Sequence, residues 1–256
     1  MIVGDPGLGA AEGVAHAFLT RRGGVSEGAF ASLNCSLSSG DAPARVAENR
    51  ARAAARLDLP PEALVTAYQH HGADCAVVEA PWRPADRPRA DALATDRPGI
   101  ALGVLTADCA PVLLADASAR VVAAAHAGWR GALGGIVEAA VAAMLGFGAR
   151  PERIVAAVGP AIGPRSYEVG DDLVAAFANA DAANARFFTA AERAGHAFFD
   201  LPAYVAARLA ALGLAAVAVT PHDTCADEAR FFSYRRTCRN GGGAFGCQLS
   251  VIALRA

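Results

Sequence analysis

Three polar side chains interrupt apolar stretches of the sequence in the same way. His71 lies in Tyr68-Gln-His-His-Gly, Cys109 in Thr106-Ala-Asp-Cys-Ala-Pro, and His126 in Ala125-His-Ala-Gly-Trp-Arg-Gly. Each follows a hydrophobic run and precedes a turn or helix signal, where a rigid scaffold presents functional groups on loops. Two imidazoles and one thiolate make a three-ligand zinc set with the fourth position open to water. Such a site brings the pKa of that water to about 7. The separations, 71 to 109 and 109 to 126, match no short zinc motif. Spacing alone therefore leaves ordinary buried cysteine and hydrogen-bonded histidine as the competing reading. The same groups also admit a Cys109 thiolate nucleophile with His126 or His71 as its base. His70 would point away from His71 on a strand and is read as structural, as are the isolated His16, His196 and His222.

The remaining composition narrows the chemistry. The chain has 256 residues, no lysine, and 23 basic residues that are all arginine. Lysine Schiff-base, pyridoxal-phosphate and Walker-type phosphate chemistry are thereby excluded. Arginine must bind any phosphate or carboxylate, which its planar fork does bidentately. A net charge of −2 argues against a general nucleic-acid binder or a polybasic membrane surface. No apolar run reaches the roughly 18–20 residues of a membrane span, and the N-terminal MIVGDPGLGAAEG lacks the pattern of a signal peptide. The six cysteines are dispersed without a CxxC, so reduced thiols and a cytoplasmic location are expected. The sequence leaves the oligomeric state open, with a monomer as the default.

The elements that must position these groups follow from periodicity and punctuation. Strands are predicted at 14–20, 64–68, 75–79, 100–106, 111–115, 121–125, 154–158, 215–219 and 248–254. Helices are predicted at 43–59, 131–145, 170–194 and 201–212. Residues 20–28, with Arg21, Arg22, Gly23 and Gly24, read as a loop able to meet an anion. The four-proline stretch 81–98 reads as a surface loop. Strands sometimes follow one another and sometimes alternate with helices. That order favours a single α+β domain over 1–256, with mixed sheets rather than a doubly wound parallel one. No GxGxxG follows the first strand, so a dinucleotide site has no support.

Taken in order, the motifs resemble the YfiH-type family, long labelled multicopper polyphenol oxidase or laccase-domain proteins and now described as purine nucleoside phosphorylases. The matching blocks are Thr20-Arg-Arg-Gly-Gly-Val-Ser, Ser32-Leu-Asn, Gly40-Asp41, Glu48-Asn49-Arg50, Gln69-His-His-Gly and Ala90-Asp-Ala-Leu-Ala-Thr. They continue with Thr106-Ala-Asp-Cys-Ala-Pro-Val, His126-Ala-Gly-Trp-Arg-Gly, Gly159-Pro-Ala-Ile-Gly-Pro, Tyr167-Glu-Val-Gly, Asp200-Leu and Phe231-Phe-Ser-Tyr-Arg-Arg. The resemblance implies a four-layer α/β/β/α sandwich, similar to the deamidase domain of cytotoxic necrotizing factor. It implies that His71, Cys109 and His126 bind metal, as zinc rather than copper. It implies phosphorolysis of adenosine, inosine, guanosine and methylthioadenosine, with some adenosine deamination, and relatives are linked to peptidoglycan-precursor editing.

The sequence departs from the pattern at three places. Ser36 stands for a glycine, Arg165 and Ser166 for cysteines, and Cys247 for an arginine. That last change removes an expected phosphate contact from the C-terminal segment. Arg21 and Arg130, with Arg50 and Arg235 behind them, are then the expected phosphate ligands; Asn34 and Asp41 are expected to hold the first loop. Asp108, beside Cys109, is a candidate partner or proton relay for the metal site. Trp129 and Tyr234 are candidates for stacking on a purine, with core or rim packing as the alternative. A cysteine hydrolase or amidase using Cys109 and His126, a copper polyphenol oxidase, and a non-catalytic zinc protein are the competing functions.

Overall fold

The computed structural model describes residues 2–255. Its strands are β1 (Ile2–Val3), β2 (Val14–Leu19), β3 (Leu64–Thr66), β4 (Cys75–Val77), β5 (Ala92–Thr95), β6 (Ala101–Thr106) and β7 (Ala110–Asp116). They continue with β8 (Val121–Ala127), β9 (Val155–Val158), β10 (Glu168–Gly170), β11 (Phe188–Ala190), β12 (His196–Phe199), β13 (Ala216–Val219) and β14 (Gln248–Leu254). The helices are α1 (Pro6–Ala10), α2 (Pro43–Ala55), α3 (Trp129–Gly134), α4 (Ile136–Gly146), α5 (Asp171–Ala180), α6 (Leu201–Ala210) and α7 (Tyr234–Arg239).

Two mixed sheets lie face to face. One runs β1-β2-β14-β6-β3 and the other β13-β9-β7-β8-β5-β4. Between them Phe18, Val65, Leu102, Val104 and Ile252 of the first sheet meet Leu93, Leu113, Val122 and Ala124 of the second. The outer face of the first sheet is covered by α2, whose Ala53 and Ala54 pack on Ala17, Leu249 and Val251. The outer face of the second is covered by α4 and α6 through Ile136, Val137, Met144, Tyr204 and Leu209. These are the four α/β/β/α layers. They explain why β7 and β8 are buried at every position, since a sheet covered on both faces needs apolar residues on both.

Three sequence expectations are corrected by the structure. Within 81–98, β5 is a fully buried strand of the second sheet; four residues rich in alanine carry little β-propensity to announce it. The helix expected at 131–145 is two helices, because Gly135 adopts φ +96° and closes α3 with a left-handed cap. The helix expected over 170–194 stops at Ala180, and Phe188 joins a three-stranded sheet, β10-β12-β11. There Phe188 stacks on Phe199 at 4.7 Å and Phe177 lies 4.8 Å from Phe199, so aromatic packing overrides local helix propensity. No helix among the described residues is long and apolar enough to cross a membrane.

Candidate metal centre

Two short passages of the chain from one sheet to the other lie at the same end of the sandwich. The segment after β3 leads to β4 through Gln69-His-His-Gly, and the turn after β6 leads to β7 through Ala107-Asp-Cys. The end of β8 lies beside both crossings. His71, Cys109 and His126 therefore converge, and one ligand atom from each lies within 4.8 Å of the others. His71 Nε2 is 3.7 Å from Cys109 Sγ, and the two imidazoles meet edge to face at 4.8 Å.

Asp91, a residue the motif reading passed over, holds this arrangement. Its Oδ1 is 2.8 Å from His126 Nδ1 and accepts the His71 N–H at 2.9 Å. Its Oδ2 accepts the His70 and Gly72 N–H groups at 3.0 and 2.8 Å. One buried carboxylate thus fixes the His71 turn and orients the His126 ring, so that Nε2 is the nitrogen of His126 turned to Cys109. This is the carboxylate–histidine partnership that metal ligands ordinarily carry. The signal in the sequence was a lone carboxylate inside the apolar Ala90-Asp-Ala-Leu-Ala.

Backbone strain gathers around the same point. His71 and Asp108 have φ of +63° and +87°, conformations that cost non-glycine residues on the order of 1–3 kcal/mol and cluster at functional sites. Gly128 permits the closure. A Cβ there would lie 2.7 Å from His71 Cδ2 and 3.1 Å from Cys109 Sγ.

Electrostatics favour the ligand form of the cysteine. Burial would raise the Cys109 thiol, but His126 and His71 outweigh it and bring the thiol down to about 6. Burial works against Asp91 too, yet the hydrogen bonds from His126, His70 and Gly72 hold its carboxyl at about 2. The donor set fits a zinc ion: two imidazole nitrogens, one thiolate, a fixed ring orientation, and an exposed side toward His71. Burial pushes Cys35, Cys75 and Cys247 up to about 12. In metal-free protein at pH 7, iodoacetamide is therefore expected to label Cys109 well ahead of those three, and added zinc to protect it. Peptide mapping after brief labelling reads this; equal labelling of Cys109 and Cys247 contradicts it.

The triad opens into a cavity of about 500 Å³. Tyr68, Tyr234, Phe245, Leu105 and Ala107 give it apolar and aromatic walls, and Ser36, Ser38, Gln69 and Arg87 supply polar groups. Gln69 is committed to structure: its side-chain amide exchanges two 2.8 Å hydrogen bonds with the Leu105 backbone. Tyr234 does line the cavity, 5.1 Å from Phe245, whereas Trp129 packs in the outer core near Phe177.

The other expected site residues lie elsewhere, and their contacts say why. Asp108 turns from the triad to accept hydrogen bonds from Thr224, Ser233 and the Arg235 N–H, anchoring the start of α7. Burial raises its carboxyl. Arg21 donates to the Ala31 and Glu228 carbonyls and lies over Phe232, so it clips the first loop to the 228–232 segment. Buried Arg50 reaches the Cys35 and Leu64 carbonyls and Thr66. Arg130 is exposed and stacks over Trp129 at 4.3 Å. Arg235 donates to the Glu168 carbonyl and lies over Tyr167. Asn34 bonds Asp41 and Ser39 and accepts from the Ser36 and Cys247 N–H groups. It thereby buttresses the cavity wall from behind. Of the arginines, Arg87 is the one that lines the cavity.

A sandwich of this build with a His-Cys-His centre at one end defines a laccase-like domain. The family model described as multi-copper polyphenol oxidoreductase laccase matches residues 15–255, and the chain belongs to that family. A purine nucleoside phosphorylase of Streptomyces griseus is 46% identical over 232 residues, covering 90% of this chain and 92% of that one. The purine nucleoside phosphorylase YfiH of Escherichia coli is 40% identical over 231 residues, covering 90% and 91%. The crystal structure of the Neisseria meningitidis protein NMB0706 superposes with a TM-score of 0.87 at 36% identity, over 100% of this chain and 99% of that one.

Proposed function

We propose that the chain is a zinc-dependent, cytoplasmic purine nucleoside phosphorylase, converting adenosine, inosine, guanosine or methylthioadenosine and phosphate to base and ribose 1-phosphate. The observation that carries this reading is the His71-Cys109-His126 cluster at the base of a cavity with aromatic walls; the names of the relatives support it. His71, Cys109 and His126 would hold the zinc, which when bound supplies positive charge for an anionic co-substrate. The chain's own residues do the rest. Tyr234, Phe245, Leu105 and Ala107 offer faces for a flat purine. The Ser36 and Ser38 hydroxyls can donate to ribose oxygens. With metal bound, Asp91 would accept the His126 Nδ1 proton as a hydrogen bond and so present Nε2 to the ion. The departing ribosyl centre becomes cation-like, and an adjacent phosphate stabilises it and attacks it, where water does neither as well.

Adenosine deamination is proposed as a side activity of the same centre. A metal-free cysteine hydrolase remains the second reading, favoured by the depressed Cys109 thiol beside His71. A multicopper oxidase is disfavoured: among the described residues the triad is the one cluster of this kind, and further coppers need further histidines. The test is metal analysis of purified protein together with adenosine turnover with and without phosphate. Adenine and ribose 1-phosphate are expected only with phosphate. Adenine release that is indifferent to phosphate moves the hydrolase to first place.

A further inference from the structure

We propose that Arg87 is the phosphate-recognising residue of the cavity, and that Arg89, on the same strip of chain beside the Tyr68 ring, carries that recognition past the mouth. The idea rests on the phosphorylase reading for its reaction, but the binding it asserts is separable from turnover. Charge singles out Arg87 first. With no lysine in the chain, a permanent side-chain cation outside the His71-Cys109-His126 cluster can reach the cavity only as arginine, and Arg87 is the arginine in its lining. Arg21, Arg50 and Arg235 are committed to carbonyl oxygens and aromatic faces, and Arg130 is stacked on Trp129.

Arg87 and Arg89 are also available. Nearby Arg83 and Arg97 are paired with Asp86 and Asp96. Arg87 and Arg89, by contrast, make no ion pair among the described residues. Their guanidinium groups lie 5.9 and 5.4 Å from the centre of the Tyr68 ring, within cation–π range. Each group is thus steadied by an aromatic ring while its N–H donors stay uncommitted to a carboxylate.

The backbone fixes their position. The Tyr68 N–H donates to the Pro88 carbonyl at 2.8 Å, and the Ala90 N–H donates back to the Tyr68 carbonyl at 3.3 Å. Residues 87–90 are therefore fastened to the segment that carries His71, and they run directly into Asp91. Arg87 is tied to the same frame as the metal ligands. A second concavity of about 340 Å³, bounded by Tyr68, Pro84, Ala85, Arg87 and Arg89, adjoins the first and shares Tyr68 and Arg87 with it. Each of the two guanidinium groups beside Tyr68 carries the planar fork of donors that phosphate oxygens take.

The phosphate can be the free co-substrate or the 5′-phosphate of a nucleotide. Arg87→Met keeps the stem against Tyr68 and removes the charge; Arg87→Lys keeps the charge and removes the fork. For Arg87→Met the KM for inorganic phosphate is expected to rise about 10- to 100-fold, the loss of one charge-assisted contact, with the KM for adenosine within about 3-fold of wild type. Arg87→Lys should fall between the two. AMP is titrated into both proteins in parallel. Weakened AMP binding with an unchanged phosphate KM still supports Arg87 as the phosphate reader and identifies the nucleotide as its source. Unchanged phosphate KM together with unchanged AMP affinity overturns the proposal. Should the wild type show no phosphorolysis, the functional reading fails on its own. Calorimetry with inorganic phosphate and AMP then decides this one: weaker binding to Arg87→Met sustains it, and equal or absent binding to both proteins ends it.

Discussion

Cys109→Ala is expected to abolish both metal and turnover while leaving the secondary structure in place. The thiolate is one of three donors, and a two-imidazole remnant binds zinc far more weakly. Metal content of the purified variant should fall from near one ion per chain to near zero. Loss of several kcal/mol of charge stabilisation corresponds to a fall in kcat/KM of roughly a thousand-fold or more. Far-ultraviolet circular dichroism should overlay the wild type, because Cys109 lies in a turn between β6 and β7 and its side chain does not belong to any of the three hydrophobic clusters. A Cys109→Ala protein that keeps full metal and full activity would remove Cys109 from the site.

Asp91→Asn is expected to cost about 10- to 100-fold in metal affinity and a similar factor in activity. The variant keeps the shape of the side chain, but an amide has one acceptor oxygen where the carboxylate has two. Either His126 Nδ1 or the His70–Gly72 backbone loses its partner. Competition with a chromophoric chelator reads the affinity, and an unchanged constant would show that Asp91 serves only the backbone. The same residue sets an acid limit. Its folded carboxyl sits near 2, below its ordinary 3.8. The stability it confers is therefore complete above about pH 4 and is lost as pH falls through about 2. Acid titration of metal-free wild type against Asp91→Asn should show the wild-type advantage shrinking over that window.

The architecture was legible where burial is continuous. Strands β6, β7, β8 and β14 announce themselves as apolar runs, and β14 occupies the residues expected of it. The three residues that converge at the candidate site were legible because each breaks such a run. The parts that stayed hidden have a common physical origin. Strand β5 is short and alanine-rich, and the β10-β12-β11 sheet exists because Phe177, Phe188 and Phe199 meet across distant segments. Asp91 looked like one motif letter among several, since nothing in its neighbours tells that it reaches both 70–72 and 126. The arginines show the limit most plainly. Residue type could say that a guanidinium must supply the positive charge; it could not tell Arg87, at the cavity wall, from Arg21 or Arg50, spent on backbone carbonyls.

The triad sits where the chain passes from one sheet to the other, with His71 and Cys109 on the two passages and His126 on the second sheet. The spacing between its donor atoms is therefore a measure of the spacing between sheets. Interior residues outside the cavity lining, such as Phe18 and Leu113 between the layers, set that gap. A methylene removed there lets close-packed layers settle by a fraction of an ångström. Three bonds of fixed length to a bound ion would register the change as an altered bite. A metal held there would act as a caliper on the protein's own core, and the search for variants with retuned metal affinity would extend to positions outside the cavity lining.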